Sequence, residues 1–180
     1  GGGWAPPGCP ITVLSLKAAL AGTFRAFLRW DPPLRSEADR QAMVEAVRDG
    51  EIDAIVSAHT PVPAEGKRLP FAEAEPGSVG LETLLPGALT LHHDAGVPLI
   101  DVLRPLTSGP AELIGLEAGR LSAGARADLV LFDPDAPVII DADGLMSPSK
   151  KNAFDGRRLQ GRVLLTVATG RIVWREAASN

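Results

Sequence analysis

Tyrosine is absent from this chain, cysteine occurs once, histidine three times, and aromatic side chains make up only 4% of its 180 residues. The lone Cys9 has no partner for a disulfide within the chain, and nothing in its neighbourhood points to an activated thiol. A reducing, cytoplasmic setting is the expectation. The histidines do not form a ligand set: His92 and His93 are adjacent, so on a helix they point about 100° apart, and His59 is distant in sequence. Without an HxH or HxxxH spacing, no metal site is expected within the chain, and solvated or capping roles are. No apolar run reaches the ~20 residues of a membrane span. The net charge of -4 argues against nucleic acid or an anionic membrane as partner. The opening GGGWAPPGCP lacks a basic segment leading into a long apolar stretch, so it does not read as a signal peptide. Residues 1–10 are expected to be a linker or a truncation scar.

What the chain does have is glycine (19) and proline (16), the mark of many short elements joined tightly. Its length allows burial of roughly two-thirds of the unfolded surface. ITVLSL (11–16) reads as a short buried strand. Ser36 is a good N-cap for a helix running to Asp49, with Gly50 in the C′ position. EIDAIVS (51–57) follows as a strand apolar on both faces, which makes helix, glycine and strand one unit of an α/β fold. Residues 58–78 form a long loop, and loops of that length are functional or disordered. GLETLLPGALTLHHDAG (80–96) reads as a helix kinked at Pro86, with further helices at 98–107 and 109–116. From about residue 117 the pattern becomes β-rich: 127–133, 137–140, 162–170 and 171–176, the last two joined at Gly170-Arg171.

Several residues invite sharper readings that the ordinary ones outweigh. Lys67 and Arg68 are expected to be solvated. The glycines of EPGSVG lack a phosphate loop's context and suit a tight turn, with Ser78 as an N-cap. Asp53 lies at the start of its strand, where residues serve stability. Trp30 and Trp174 are expected to pack, and Asp128 and Asp133 to serve turns or caps.

Four segments together resemble the C-terminal half of dihydroorotase, a cyclic amidohydrolase of pyrimidine biosynthesis. They are DPPLRSEADRQAMVEAVRDGEIDAIVSAHTP, KRLPFAEAEPGSVGLETLLP, AGRLSAGARADLVLFDPDAP and SKKNAFDGRRLQGRVLLTVATGRIV. The resemblance covers residues 11–176 in the family's order. It implies an α/β fold: the C-terminal portion of a (β/α)8 amidohydrolase barrel, followed by part of a composite β-sandwich. On that mapping 11–116 is a partial barrel, with 11–16 as strand seven and 52–57 as strand eight, and 117–180 is the C-terminal share of the sandwich. The first six strands, which in the family carry the paired histidines, the bridging lysine and the remaining ligands, have no counterpart here.

The resemblance also implies what has changed. The family's strand eight ends in Ser/Thr-Asp-His, where the Asp is zinc ligand and general base; here that position is Ala58, whose methyl can neither hold a cation nor shuttle a proton. His59 matches the histidine that follows. Val62 stands where many members place a substrate-contacting His. Asp31 replaces an Asn that hydrogen-bonds the substrate ring, and Pro76 and Gly77 match the loop whose backbone borders it. Thr12 and Val13 stand where an Asn-His or His-His usually precedes Leu14. The implied substrate contacts are thus Asp31, His59, Pro76 and Gly77, with no catalytic group intact and no metal in this chain.

Two functions follow from the resemblance. One is dihydroorotase-type hydrolysis, dihydroorotate to carbamoyl aspartate, in a chain inactive by itself. The other is a non-catalytic structural partner of aspartate transcarbamoylase. Because two strands of a closed barrel leave open edges, self-association is a further expectation. Leu81, Leu84, Leu85, Leu89 and Leu91 are expected to form part of the uncovered apolar surface.

Overall fold

A computed structural model describes residues 9–16, 28–29, 33–63 and 65–177. The first structural unit is a pair of short parallel strands, β1 (Cys9–Pro10) and β2 (Ile55–Val56), in register Cys9↔Ile55 and Pro10↔Val56. Residues 11–16 are not the expected strand. Strand pairing ends at Pro10, and α1 (Ile11–Ser15) is a helical turn. An apolar run of six residues fits a buried strand or a buried helical turn equally well, and here Ile11, Leu14 and Leu16 are all buried in the helical alternative.

Helix α2 (Glu37–Arg48) begins and ends where the local chemistry dictates. The Ser36 side chain accepts the Asp39 N–H, and Asp39 reaches back to the Ser36 N–H, a reciprocal capping box. Such a cap contributes on the order of 1 kcal/mol. Gly50 then takes a positive φ of 74°. Val44 and Val47 turn inward to meet Ile11, Leu14, Ile55, Leu91, Val97 and Val102 in the larger core cluster.

Residues 81–113 form a chain of short helices: a 3-10 turn at Leu81–Thr83, α3 (Leu84–His93), α4 (Leu99–Leu103), a second 3-10 turn at Arg104–Leu106, and α5 (Ser108–Leu113). Pro86 does not kink α3. It falls in the first turn, where its missing N–H has no intrahelical acceptor to lose. The leucines of this region divide in a way the sequence did not suggest. Leu89 and Leu91 are fully buried, whereas Leu81 is exposed. Leu89 lies directly over Gly161, where any side chain would collide with it.

A three-stranded antiparallel sheet closes the chain: β3 (Leu129–Ile139), β4 (Arg158–Ala168) and β5 (Arg171–Arg175), in the order β3-β4-β5. The runs 127–133 and 137–140 are one strand, with a register shift between Asp133 and Pro137. Asp133 holds that irregularity by accepting the N–H groups of Asp135 (3.0 Å) and Ala136 (3.1 Å). The hairpin turn is one residue earlier than expected, at Thr169-Gly170. Both residues have positive φ, 49° and 75°, as a type I′ turn requires. The Asp128 carboxylate accepts the Thr169 N–H at 2.6 Å, and this bond, with Arg126 beside it, holds the carboxyl below its usual range. Trp174, expected to pack, is 47% exposed, and Ile172 and Val173 beside it are exposed as well.

Candidate functional site

The chain leaves β2 at Ser57 and turns sharply at Ala58, whose φ is 48°. A left-handed conformation costs an L-residue roughly 1–2 kcal/mol, so the surroundings must enforce it. They do so by interlocking two segments. His59 forms a parallel bridge with Ser78, and the Thr60 N–H donates to the Ser78 carbonyl at 2.9 Å. Two glycines permit this approach. A methyl at Gly77 would lie 2.7 Å from the Thr60 carbonyl oxygen, and one at Gly80 would collide with the Ser57 carbonyl oxygen. Ser78 is therefore no N-cap: fully buried, its hydroxyl donates to the Lys151 carbonyl at 2.8 Å. Asn152 continues the seam, donating to the Val79 carbonyl at 3.0 Å and accepting the Phe154 N–H at 2.7 Å.

The structure thus brings His59, Gly77 and residue 58 together at the β2 exit, with Pro76 exposed on the adjoining turn. Asp31 lies outside the described residues, as does Trp30. Among the described residues, the surroundings of Ala58 are mostly apolar. Ala58 packs against an apolar cluster of Leu16, Leu28, Ile140, Ala153, Phe154 and Leu159, beside Leu34 and Phe71. Val62 is buried, and its carbonyl accepts the Ser149 hydroxyl at 2.9 Å. The one Nδ1 at the strand end, that of His59, accepts the N–H groups of Gly80 at 3.1 Å and Leu81 at 3.4 Å.

Lys67 departs most from its expected place. It is only 7% exposed, and its ammonium donates to the Glu75 and Arg29 carbonyls. The Arg29 guanidinium donates in turn to the carbonyls of Ala72 and Ala74, and the Arg29 carbonyl also accepts the Gly77 N–H at 3.0 Å. Burial, and secondarily the Arg29 cation, push the Lys67 amine down to about 8, with Glu75 opposing. Arg68, its neighbour, is exposed as expected. No local pattern marks Lys67 for burial, because the carbonyls that hold it converge only when the loop folds back on itself.

The other candidate groups serve the fold. His92 Nδ1 meets the Val97 carbonyl at 2.8 Å and His93 Nε2 the Pro134 carbonyl at 3.0 Å, so each ring bridges a helix end or a neighbouring strand. Burial pushes the Cys9 thiol up to about 11, which keeps it protonated and unreactive. Among the described residues, no three His, Cys, Asp or Glu side chains converge as a metal site requires. No described helix is long and apolar enough to cross a membrane.

Residues 10–173 match the amidohydrolase family. The dihydroorotase of Anaplasma phagocytophilum is 46% identical over 147 residues, which are 82% of this chain and 33% of that protein. A dihydroorotase-like protein of Pseudomonas aeruginosa is 41% identical over 170 residues, 93% of this chain and 40% of that one. Among solved structures, the L-hydantoinase (dihydropyrimidinase) of Arthrobacter aurescens superposes with a TM-score of 0.87 at 29% identity, covering 95% of this chain and 40% of the hydantoinase. The chain spans about a third to two-fifths of the length of these relatives.

Proposed function

Because the chain belongs to the amidohydrolase family, with dihydroorotases among its relatives, we propose that it is a dihydroorotase-type member that does not itself hydrolyse dihydroorotate. In this reading 11–116 is the C-terminal portion of a (β/α)8 barrel and 117–180 its share of a composite sandwich. One observation carries it: residue 58 is a methyl packed against an apolar cluster, where the chemistry needs a carboxylate. The donor set at this strand end does not fit a zinc ion. Ala58 offers no oxygen, Val62 is buried and apolar, and the Nδ1 lone pair of His59 is already committed to two backbone N–H groups.

The test is direct. Purified protein supplied with zinc should neither open dihydroorotate nor close carbamoyl aspartate above a metal-only control. Ala58→Asp alone should not change that, because one carboxylate does not make a ligand cluster. Turnover by the unaltered chain overturns the reading.

Ala58 also favours a second reading, in which the chain is a non-catalytic structural partner of aspartate transcarbamoylase. A protein kept for assembly has no need of the carboxylate but retains the scaffold, and this chain has that combination. Co-expression followed by sizing chromatography tests it: a co-eluting complex supports the partnership, and separate elution of the two proteins removes it.

A further inference from the structure

The ring of His59 has one proton arrangement that satisfies its surroundings. Two backbone N–H groups, those of Gly80 and Leu81, point at Nδ1. A nitrogen bearing a proton cannot accept them, so Nδ1 carries the lone pair and the neutral ring holds its proton on Nε2. The helical segment those N–H groups begin has no side-chain cap of its own. Neither Gly80, before the 3-10 turn, nor Thr83, before α3, provides one. The first N–H groups of a helix need an acceptor from outside it, and here the acceptor comes from 21 residues upstream. The backbone of His59 is pinned too, through its bridge to Ser78. Swinging the ring away would leave the Gly80 and Leu81 N–H groups without this acceptor.

We propose that His59 is a positioning residue: a tautomer-locked cap, supplied by the β2 exit, for the helical segment that begins at Leu81. Through Nε2–H it is a hydrogen-bond donor at this strand end and never a metal ligand. The sequence match grouped His59 with substrate contacts; the geometry assigns it to the frame that holds the Pro76–Gly80 turn in place.

Imidazole nitrogen NMR on the unaltered protein, labelled at histidine, reads the tautomer without any mutation. The expected result is an Nε2-protonated ring whose nitrogen signals do not move when zinc is added. Amide hydrogen exchange gives the second reading. His59→Ala should speed exchange at Gly80 and Leu81 about fivefold, the effect of losing a typical N-cap, while the Asp49 amide at the end of α2 stays unchanged. His59→Asn, whose side-chain oxygen can accept the same N–H groups, should restore most of the protection. An Nδ1-protonated ring, a zinc-induced shift, or an Asn variant exchanging as fast as the Ala variant would each overturn the proposal. If the Ala variant fails to fold, the tautomer measured on the unaltered protein decides.

Discussion

The β2 exit and the C-terminal sheet are built on opposite terms. Between Ser57 and Leu81 two segments interlock through hydrogen bonds such as Thr60 N–H to the Ser78 carbonyl and Gly80 N–H to His59, and the apolar side chains at 58, 62 and 79 turn inward. In the sheet the strands are paired by a hydrogen-bonded ladder with local register shifts, but Leu129, Val130, Leu131, Ile139, Ile172, Val173 and Trp174 face water. The first region packs Ala58 against an apolar cluster and buries Val62. The second has kept the side chains of a buried sheet without the cover. Hydrogen bonds specify both regions, and only apolar burial separates them. Apolar burial is the larger source of stability, so the two should respond very differently to mutation.

The largest contrast is expected from truncating one aromatic in each. Phe154 is 1% exposed in the cluster beneath Ala58, and Phe154→Ala should cost about 3–5 kcal/mol. Trp174→Ala, at an exposed position of the sheet, should change monomer stability by less than about 0.5 kcal/mol. Urea unfolding of both variants measures the ratio. A large loss at Trp174 would show that something covers the sheet in solution.

That cover is the next expectation. Each leucine or isoleucine moved from water into contact gains about 1.5–3 kcal/mol, and β3 and β5 are the outer strands of the sheet among the described residues, where an unpaired edge invites association. Sizing chromatography with light scattering should show self-association at micromolar concentration. Ile172→Lys together with Val173→Glu should shift the distribution toward monomer, while a surface change on α2 such as Gln41→Lys should not. A sharp monomer peak for the unaltered chain would remove this expectation.

Much of this contrast was not legible in the sequence, for identifiable physical reasons. Ser36, Gly50, Asp133 and the Thr169-Gly170 turn act through neighbours a few residues away, so their roles could be read locally, to within a residue at the hairpin. The family resemblance singled out position 58, and the structure places it at the β2 exit on a positive-φ turn. Residues 11–16 misled because a six-residue apolar run has no period long enough to separate strand from helix. Lys67 and Trp174 misled in opposite directions. A lysine in a loop is normally solvated and a tryptophan among apolar residues is normally packed, yet each fate depends on segments far away in sequence. Burial is a property of the assembled chain.

A smaller effect is expected at residue 58. Ala58 has a φ of 48°, and glycine adopts that conformation without the steric cost. Ala58→Gly should raise the unfolding free energy by up to about 1 kcal/mol, the relief of a left-handed backbone less glycine's added unfolded-state entropy. A loss in the same urea experiment would show that the methyl's contact with the apolar cluster outweighs the strain.

The most specific effect concerns pH. The Lys67 amine is lowered from 10.5 to about 8, by burial first and by Arg29 second. The folded chain therefore releases this proton more readily than the unfolded chain does. Between about pH 8 and 10.5 the unfolded state binds more protons, so this group's contribution to stability rises with pH across that window. The contribution is complete above 10.5 and is lost as pH falls through 8. Lys67→Met removes the titrating group while keeping a long apolar stem in the same space. Its urea midpoint should lose the part of the rise between pH 8 and 10.5 that the unaltered chain owes to Lys67, whatever the offset between the two proteins at pH 7. Parallel pH profiles would mean that the ammonium is as well solvated in the folded loop as in the unfolded chain, and the β2 exit would then be less closed than its hydrogen bonds describe.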